Sequence, residues 1–123
     1  AKKKKRKVEY NFIVIRSTEG YLLELRDSNG IWPGLWSFPA LKVNEKIGTW
    51  VDLNVGTNEP YEINYMDQFT HSLSHIDITI NPILIDISEH KECKIKKDMI
   101  FAEPEKIGSL GISKAVKKII DRL

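Results

Sequence analysis

The chain has 123 residues, 41% hydrophobic and 29% charged, enough for one globular domain with a modest core and not for two. No apolar run approaches the roughly 20 residues of a membrane span, no signal peptide opens the sequence, and one cysteine, Cys93, excludes an internal disulfide, a cysteine-rich zinc site or an iron–sulfur cluster held by this chain. The net charge of +2 also excludes a general polyanion-binding field, because it is unevenly placed: beyond residue 7 acidic groups outnumber basic ones, so any nucleic-acid contact must be focal.

Residues 2–7, Lys-Lys-Lys-Lys-Arg-Lys, repel one another and have no apolar face, so residues 1–9 read as an extended basic linker or tail. The same run resembles a short nuclear-import signal. The folded domain is expected over residues 10–123, starting near Tyr10. Asn11-Phe12-Ile13-Val14-Ile15 is a β-branched run suited to a strand buried on both faces. Ser17-Thr18-Glu19-Gly20 is a turn signal, and Tyr21-Leu22-Leu23-Glu24-Leu25-Arg26 is a second strand, giving a hairpin. Asp27-Ser28-Asn29-Gly30 opens a loop that leads into Gly34-Leu35-Trp36-Ser37-Phe38-Pro39.

Further on, Ile47, Trp50, Val51 and Val55 recur at helical spacing, with Asn44 as the available cap and Gly48 opposing the helix. From His75 onward, Ile76, Ile78 and Ile80 alternate with Asp77, Thr79 and Asn81, the period of a strand. Ile83-Leu84-Ile85-Asp86-Ile87 continues extended, with Pro82 marking a bulge or an edge. At the C-terminus, Ser113 is placed to cap a helix whose stripe is Ala115, Val116, Ile119, Ile120 and Leu123, with Lys114, Lys117, Lys118 and Arg122 on the other side. Strands mixed with one or two helices predict an α+β sandwich, a curled mixed sheet covered by helices.

Gly34-Leu35-Trp36-Ser37-Phe38-Pro39 taken alone is aromatic core packing at a strand end. Following a hairpin and a loop, however, G-L-W-x-F-P resembles the approach to the signature loop of a Nudix domain. The carboxylate-rich helix that would hold magnesium in a Nudix hydrolase is missing. Ala40-Leu41 replace its glycine pair, and only Glu45 and Asp52 follow before Gly56. A Nudix-like domain without that helix resembles the C-terminal domain of MutY-type adenine DNA glycosylases. Phe69-Thr70-His71-Ser72-Leu73-Ser74-His75-Ile76-Asp77-Ile78-Thr79-Ile80 is similar to that family's F-x-H-x-F-S-H segment, with Leu73 in place of phenylalanine. The segment from Leu110 through Ile120 is similar to its closing helix, with Ile112-Ser113 in place of a proline.

The resemblance implies a Nudix-like fold and a part in base excision repair: recognition of 8-oxoguanine for an enzyme that removes the adenine mispaired with it. It implies lesion and DNA contacts at Ser74, His75, Leu73, His71 and Phe69, and phosphate contacts are expected at Lys4, Lys5, Arg6 and Lys7. The implied partners are double-stranded DNA carrying 8-oxoguanine opposite adenine and the protein's own N-terminal catalytic domain. A monomer without membrane contact is expected, cytoplasmic in a bacterium or nuclear in a eukaryote. No catalytic residue, metal or cofactor is expected in this chain; the iron–sulfur cluster of the family is expected in the catalytic domain.

Blander readings compete. Ser74, His75 and Asp77 do not form a hydrolytic triad, since neighbours in a strand point to opposite faces. His71 and His75, four residues apart, could bind metal on a helix, but no glutamate follows His71 and the context is extended; His71 reads as a hydrogen-bonded structural histidine. Cys93 reads as a stray thiol, and the lysines around it as a solvated loop or hairpin. Two other functions remain open: a divergent pyrophosphohydrolase holding a metal with Glu45 and Asp52 together with Glu59 or Glu62, and a Nudix-like protein-interaction module with an exposed Ile or Trp anchor.

Overall fold

The computed structural model describes residues 5–26, 32–57, 59–90 and 94–123. Its elements in chain order are β1 (Arg6–Ser17), β2 (Gly20–Leu25), β3 (Trp36–Ser37), β4 (Ala40–Lys42), α1 (Ile47–Asn54), β5 (Ile63–Tyr65), β6 (Phe69–Ser72), β7 (Ile76–Asp86), β8 (Met99–Ala102), α2 (Pro104–Ile107) and α3 (Lys114–Ile120). The two β-branched segments legible in the sequence become the spine of one mixed sheet. β1 and β7 run parallel in unbroken register from Arg6 opposite Ile76 to Arg16 opposite Asp86. The far edge of β1 is shared by β4 and then β2, and the far edge of β7 by β6 and then β5, all antiparallel. β2 carries β8 along its outer edge, while β3 pairs with the end of β2 on the edge that faces β1, so that Glu24 stands opposite both Ser37 and Met99.

Side-chain alternation divides the core between the two faces of this sheet. Phe12, Val14, Ile76, Ile78 and Ile80 pack on one face against Ile107 of α2 and Ala115, Val116 and Ile119 of α3. Ile13, Ile15, Ile83 and Ile85 pack on the other against Val51 and Val55 around α1. Full burial of each such side chain is worth about 1.5–3 kcal/mol, so both helical layers are held chiefly by the spine. The α+β sandwich read from the sequence, a mixed sheet covered by helices, is the observed architecture. On the α1 side, the half of the sheet nearest the start of β1 is polar. There Asn81 Nδ2 donates to Glu9 Oε2 at 2.8 Å and to Asn11 Oδ1 at 3.2 Å, while its Oδ1 accepts from Gln68 Nε2 at 2.7 Å.

Several local expectations need correction. The first strand begins at Arg6 rather than near Tyr10, so the end of the basic run is sheet, not tail. A parallel ladder needs only backbone groups, and the side chains of Arg6 and Lys7 remain exposed beside it. Lys46, not Asn44, occupies the N-cap of α1, with no side-chain hydrogen bond. Pro82 makes no break in β7. Its carbonyl accepts from Met66 N–H, so its nitrogen faces the gap between β5 and β6, where no ladder bond is required. Ser113 does cap α3, accepting from Val116 N–H at 3.2 Å, but Leu123 lies outside the apolar stripe and is 41% exposed. The loop at Asp27-Ser28-Asn29-Gly30, Cys93 with neighbouring Lys91, and residues 1–4 fall outside the described residues.

Candidate nucleic-acid interface

The antiparallel pair β6–β7 is a hairpin whose tip carries the serine and histidine singled out above. Ser72 stands opposite Asp77, and Leu73 N–H donates to Ile76 O at 2.8 Å, leaving Ser74 and His75 as the two exposed residues of the turn. The root of the hairpin is rigid because Ile76, Ile78 and Ile80 are buried beneath it. The tip is pinned from the side as well, where Arg6 N–H donates to His75 O at 3.2 Å. Ser72 and then Lys5, with Lys7 behind it, hold the Asp77 carboxyl below its ordinary pKa, keeping a carboxylate next to the turn.

Ser74 and His75 do pair, contrary to the strand geometry expected for neighbours. They sit in a bend, not in the strand, and Ser74 Oγ lies 3.1 Å from His75 Nδ1. The ring nitrogen therefore sets the sense of the hydroxyl. With Nδ1 unprotonated the serine donates to it and presents oxygen lone pairs outward; with Nδ1 protonated the serine accepts and can donate outward.

Phe69, His71 and Leu73 alternate onto the other face of β6 and are half-buried against the α3-side core, so they support the tip rather than share its exposure. His71 is held by an aromatic contact in place of the expected hydrogen bond: its ring meets Trp32 edge-on at 6.0 Å, and Trp32 in turn meets Phe12. Burial, reinforced by Lys118 and Lys114, lowers the His71 pKa from its ordinary value. Between that lowered midpoint and the ordinary value of about 6.5 the folded protein thus holds fewer protons at this site than the unfolded chain, and the stability this contributes is lost as pH falls through that window. An NMR titration should place the His71 midpoint below that of an ordinary histidine. Lys118→Gln should raise it only part of the way, since burial is the larger cause; a midpoint unmoved by the variant would contradict the contact.

Phe69 makes the second aromatic contact of this face. Its ring lies beneath two cations of the C-terminal helix and turn, Lys118 Nζ at 5.6 Å and Arg122 Cζ at 4.6 Å from the centroid. Arg122 also donates to Asp67 O at 3.2 Å. Helical periodicity assigns those cations only to the solvent-facing side; their alignment with β6 is a tertiary contact that local patterning does not carry. Of the phosphate candidates in the basic run, Lys5 is 3.5 Å from Asp77, Arg6 and Lys7 lie in β1, and Lys4 is outside the described residues.

The carboxylates of the hydrolase reading are scattered. Glu45 accepts from Lys42 N–H at 3.1 Å, Asp52 is exposed on α1, and Glu62 borders a cavity of about 410 Å³ with Asp86, Glu89 and His90. Among the described residues no group of three or more His, Cys, Asp or Glu is placed to hold a metal ion. None of the described helices is long and apolar enough to cross a membrane.

A NUDIX domain model matches residues 11–122, nearly the whole chain. The chain belongs to the NUDIX domain family. Within that family its sequence is similar to adenine DNA glycosylases. It is 29% identical over 117 residues to the adenine DNA glycosylase of Buchnera aphidicola subsp. Baizongia pistaciae, covering 95% of this chain and 33% of that protein. To the enzyme of the Acyrthosiphon pisum subspecies it is 31% identical over 116 residues, covering 89% and 31%. The chain thus spans about a third of the length of these relatives. In fold it is similar to the C-terminal domain of mouse MUTYH, solved in complex with human PCNA, with a TM-score of 0.78 and 15% identity over 94% of this chain and 86% of that one. The Escherichia coli dihydroneopterin triphosphate pyrophosphohydrolase gives a TM-score of 0.71 and 13% identity over 98% and 97%. The fold alone therefore accommodates hydrolase and glycosylase relatives, and the side chains must separate them.

Proposed function

We propose that this NUDIX domain is the 8-oxoguanine recognition module of an adenine DNA glycosylase, reading the oxidised base opposite the adenine to be removed. The observation that carries the reading is the β6–β7 tip, where an exposed serine hydroxyl is oriented by a histidine ring on a hairpin rooted in the core. Oxidation of guanine turns N7 from an acceptor into a donor and places a carbonyl at C8. A hydroxyl that donates to His75 Nδ1 presents lone pairs to the N7 hydrogen, and normal guanine offers only a lone pair there. The tip thus distinguishes the two bases by attraction to one and repulsion from the other.

Adenine excision belongs, in this reading, to a separate catalytic domain of the same protein, in keeping with the one-third coverage of the glycosylase relatives. The iron–sulfur cluster of such enzymes would reside there, since one cysteine cannot supply its thiolates. Fluorescence anisotropy with duplexes carrying adenine opposite 8-oxoguanine or guanine tests the assignment. The protein should favour the oxidised duplex, and Ser74→Ala should cut that preference about fivefold, the value of one hydrogen bond near 1 kcal/mol. Equal affinity of the unaltered protein for both duplexes would reject it.

A further inference from the structure

We infer that the cationic ridge Lys114–Lys118–Arg122, mounted on Phe69 beside the recognition hairpin, is the phosphate-binding element that seats this domain on duplex DNA. The inference rests on the proposed lesion reading for its ligand and adds to it the contact that supplies affinity. Three observations support it. First, the cations recur every four residues, about 6 Å apart along a helix axis, and continue in line through the turn that ends α3. A ridge of about 12 Å lies alongside three or four phosphates of one strand, which advance about 3.4 Å each.

Second, their charge is uncompensated. Lys118 and Arg122 are held by neutral groups, the Phe69 ring and the Asp67 carbonyl, and among the described residues Lys114, Lys118 and Arg122 form no ion pair, although Asp121 is their neighbour in sequence. A cation steadied by a ring and a carbonyl keeps its full charge for an outside anion, with less side-chain entropy left to lose. Lys5 differs, since its charge faces Asp77. Third, the ridge is next to the tip. Lys114 and Lys118 both act on His71, and three residues of β6 and its turn, about 10 Å of chain, lead from there to Ser74. On a domain whose body is otherwise acidic, this is where local phosphate contacts can be made.

Binding of the chain to the oxidised and unoxidised duplexes across a salt series provides the test. Lys114→Gln should lower the slope of log affinity against log salt by about 1, and Lys118→Gln with Arg122→Gln by about 2, weakening both duplexes equally. Lys106→Gln, the same charge change on exposed α2, should leave the slope unaltered. Wild-type slopes in the ridge variants, or an equal fall with Lys106→Gln, would overturn the inference. Should the double variant melt early, Lys114→Gln decides, since it touches neither the Phe69 ring nor the Asp67 carbonyl. The ratio of the two affinities reports on Ser74 and the slope reports on the ridge, so loss of the lesion reading and loss of the ridge are separate results.

Discussion

Gly20→Ala should unfold a large fraction of the protein's stability margin, lowering the melting temperature by on the order of 10 °C. Gly20 ends the β1–β2 turn with φ of +119°, and Ser17 Oγ donates to its carbonyl at 3.0 Å. An added Cβ would fall 2.3 Å from both the carbonyl carbon and oxygen of Ala102 and 2.6 Å from the nitrogen of Glu103. These are backbone atoms of and beside β8, so no side-chain rotation relieves the overlap; β2 and β8 must separate. The backbone conformation alone costs about 1–3 kcal/mol for a residue with a Cβ, and the displaced ladder adds to it. Gly34→Ala isolates the first component, because φ there is +75° but nothing lies within 4 Å of the added carbon. Thermal denaturation of the pair should show a clearly larger loss at residue 20. Equal losses would mean that β8 yields freely.

That close approach illustrates what the sequence hides. The turn at Ser17-Thr18-Glu19-Gly20 is legible from its residue types, but β8 is not. Met99-Ile100-Phe101-Ala102 is a short apolar run with no alternation of its own, and its place on the edge of β2 is fixed by tertiary packing. β5 is less visible still, because Ile63, Asn64 and Tyr65 are all exposed and their strand conformation comes from pairing with Ile83, Leu84 and Ile85. The spine is legible for the opposite reason. Its isoleucines, valine and phenylalanine have few alternatives to burial on a pleated surface, and the polar alternation at Asp77, Thr79 and Asn81 marks the half of β7 left uncovered on one side.

At the candidate site the same division holds. Ser74 and His75 are singled out by resemblance to the F-x-H-x-F-S-H segment, and the isoleucine alternation that begins at Ile76 places them just before the strand, where the tip lies. The ring at Phe69 also stands out, but as a DNA contact. Its relation to Lys118 and Arg122 spans about half the length of a small domain in sequence and depends on how α3 crosses β6. Local patterning assigns those cations to solvent and to the helix dipole, and both assignments remain compatible with the ridge.

Phe38→Ala should cost about 3–5 kcal/mol while leaving the duplex preference of the folded protein intact. Gly34-Leu35-Trp36-Ser37-Phe38-Pro39 is the segment that most plainly signals the family, which invites a functional role for its aromatics. Its geometry is that of core. Phe38 is 0% exposed, meets Tyr21 edge-on at 6.4 Å and shares a cluster with Ile78 and Val116, whereas Trp36 only borders that cluster. The backbone on either side is committed too. Ser37 Oγ donates to Phe38 O at 2.9 Å, and Ile13 N–H donates to Pro39 O at 2.8 Å, joining the motif to the spine. Removing the ring empties the space between sheet and α3 that neither backbone connection can close, so the cavity cost should be near the top of its range. Urea denaturation gives the stability change, and anisotropy with the two duplexes, under conditions where the variant remains folded, gives the preference. A stable Phe38→Ala protein that no longer distinguishes the duplexes would move the motif from the core to the interface.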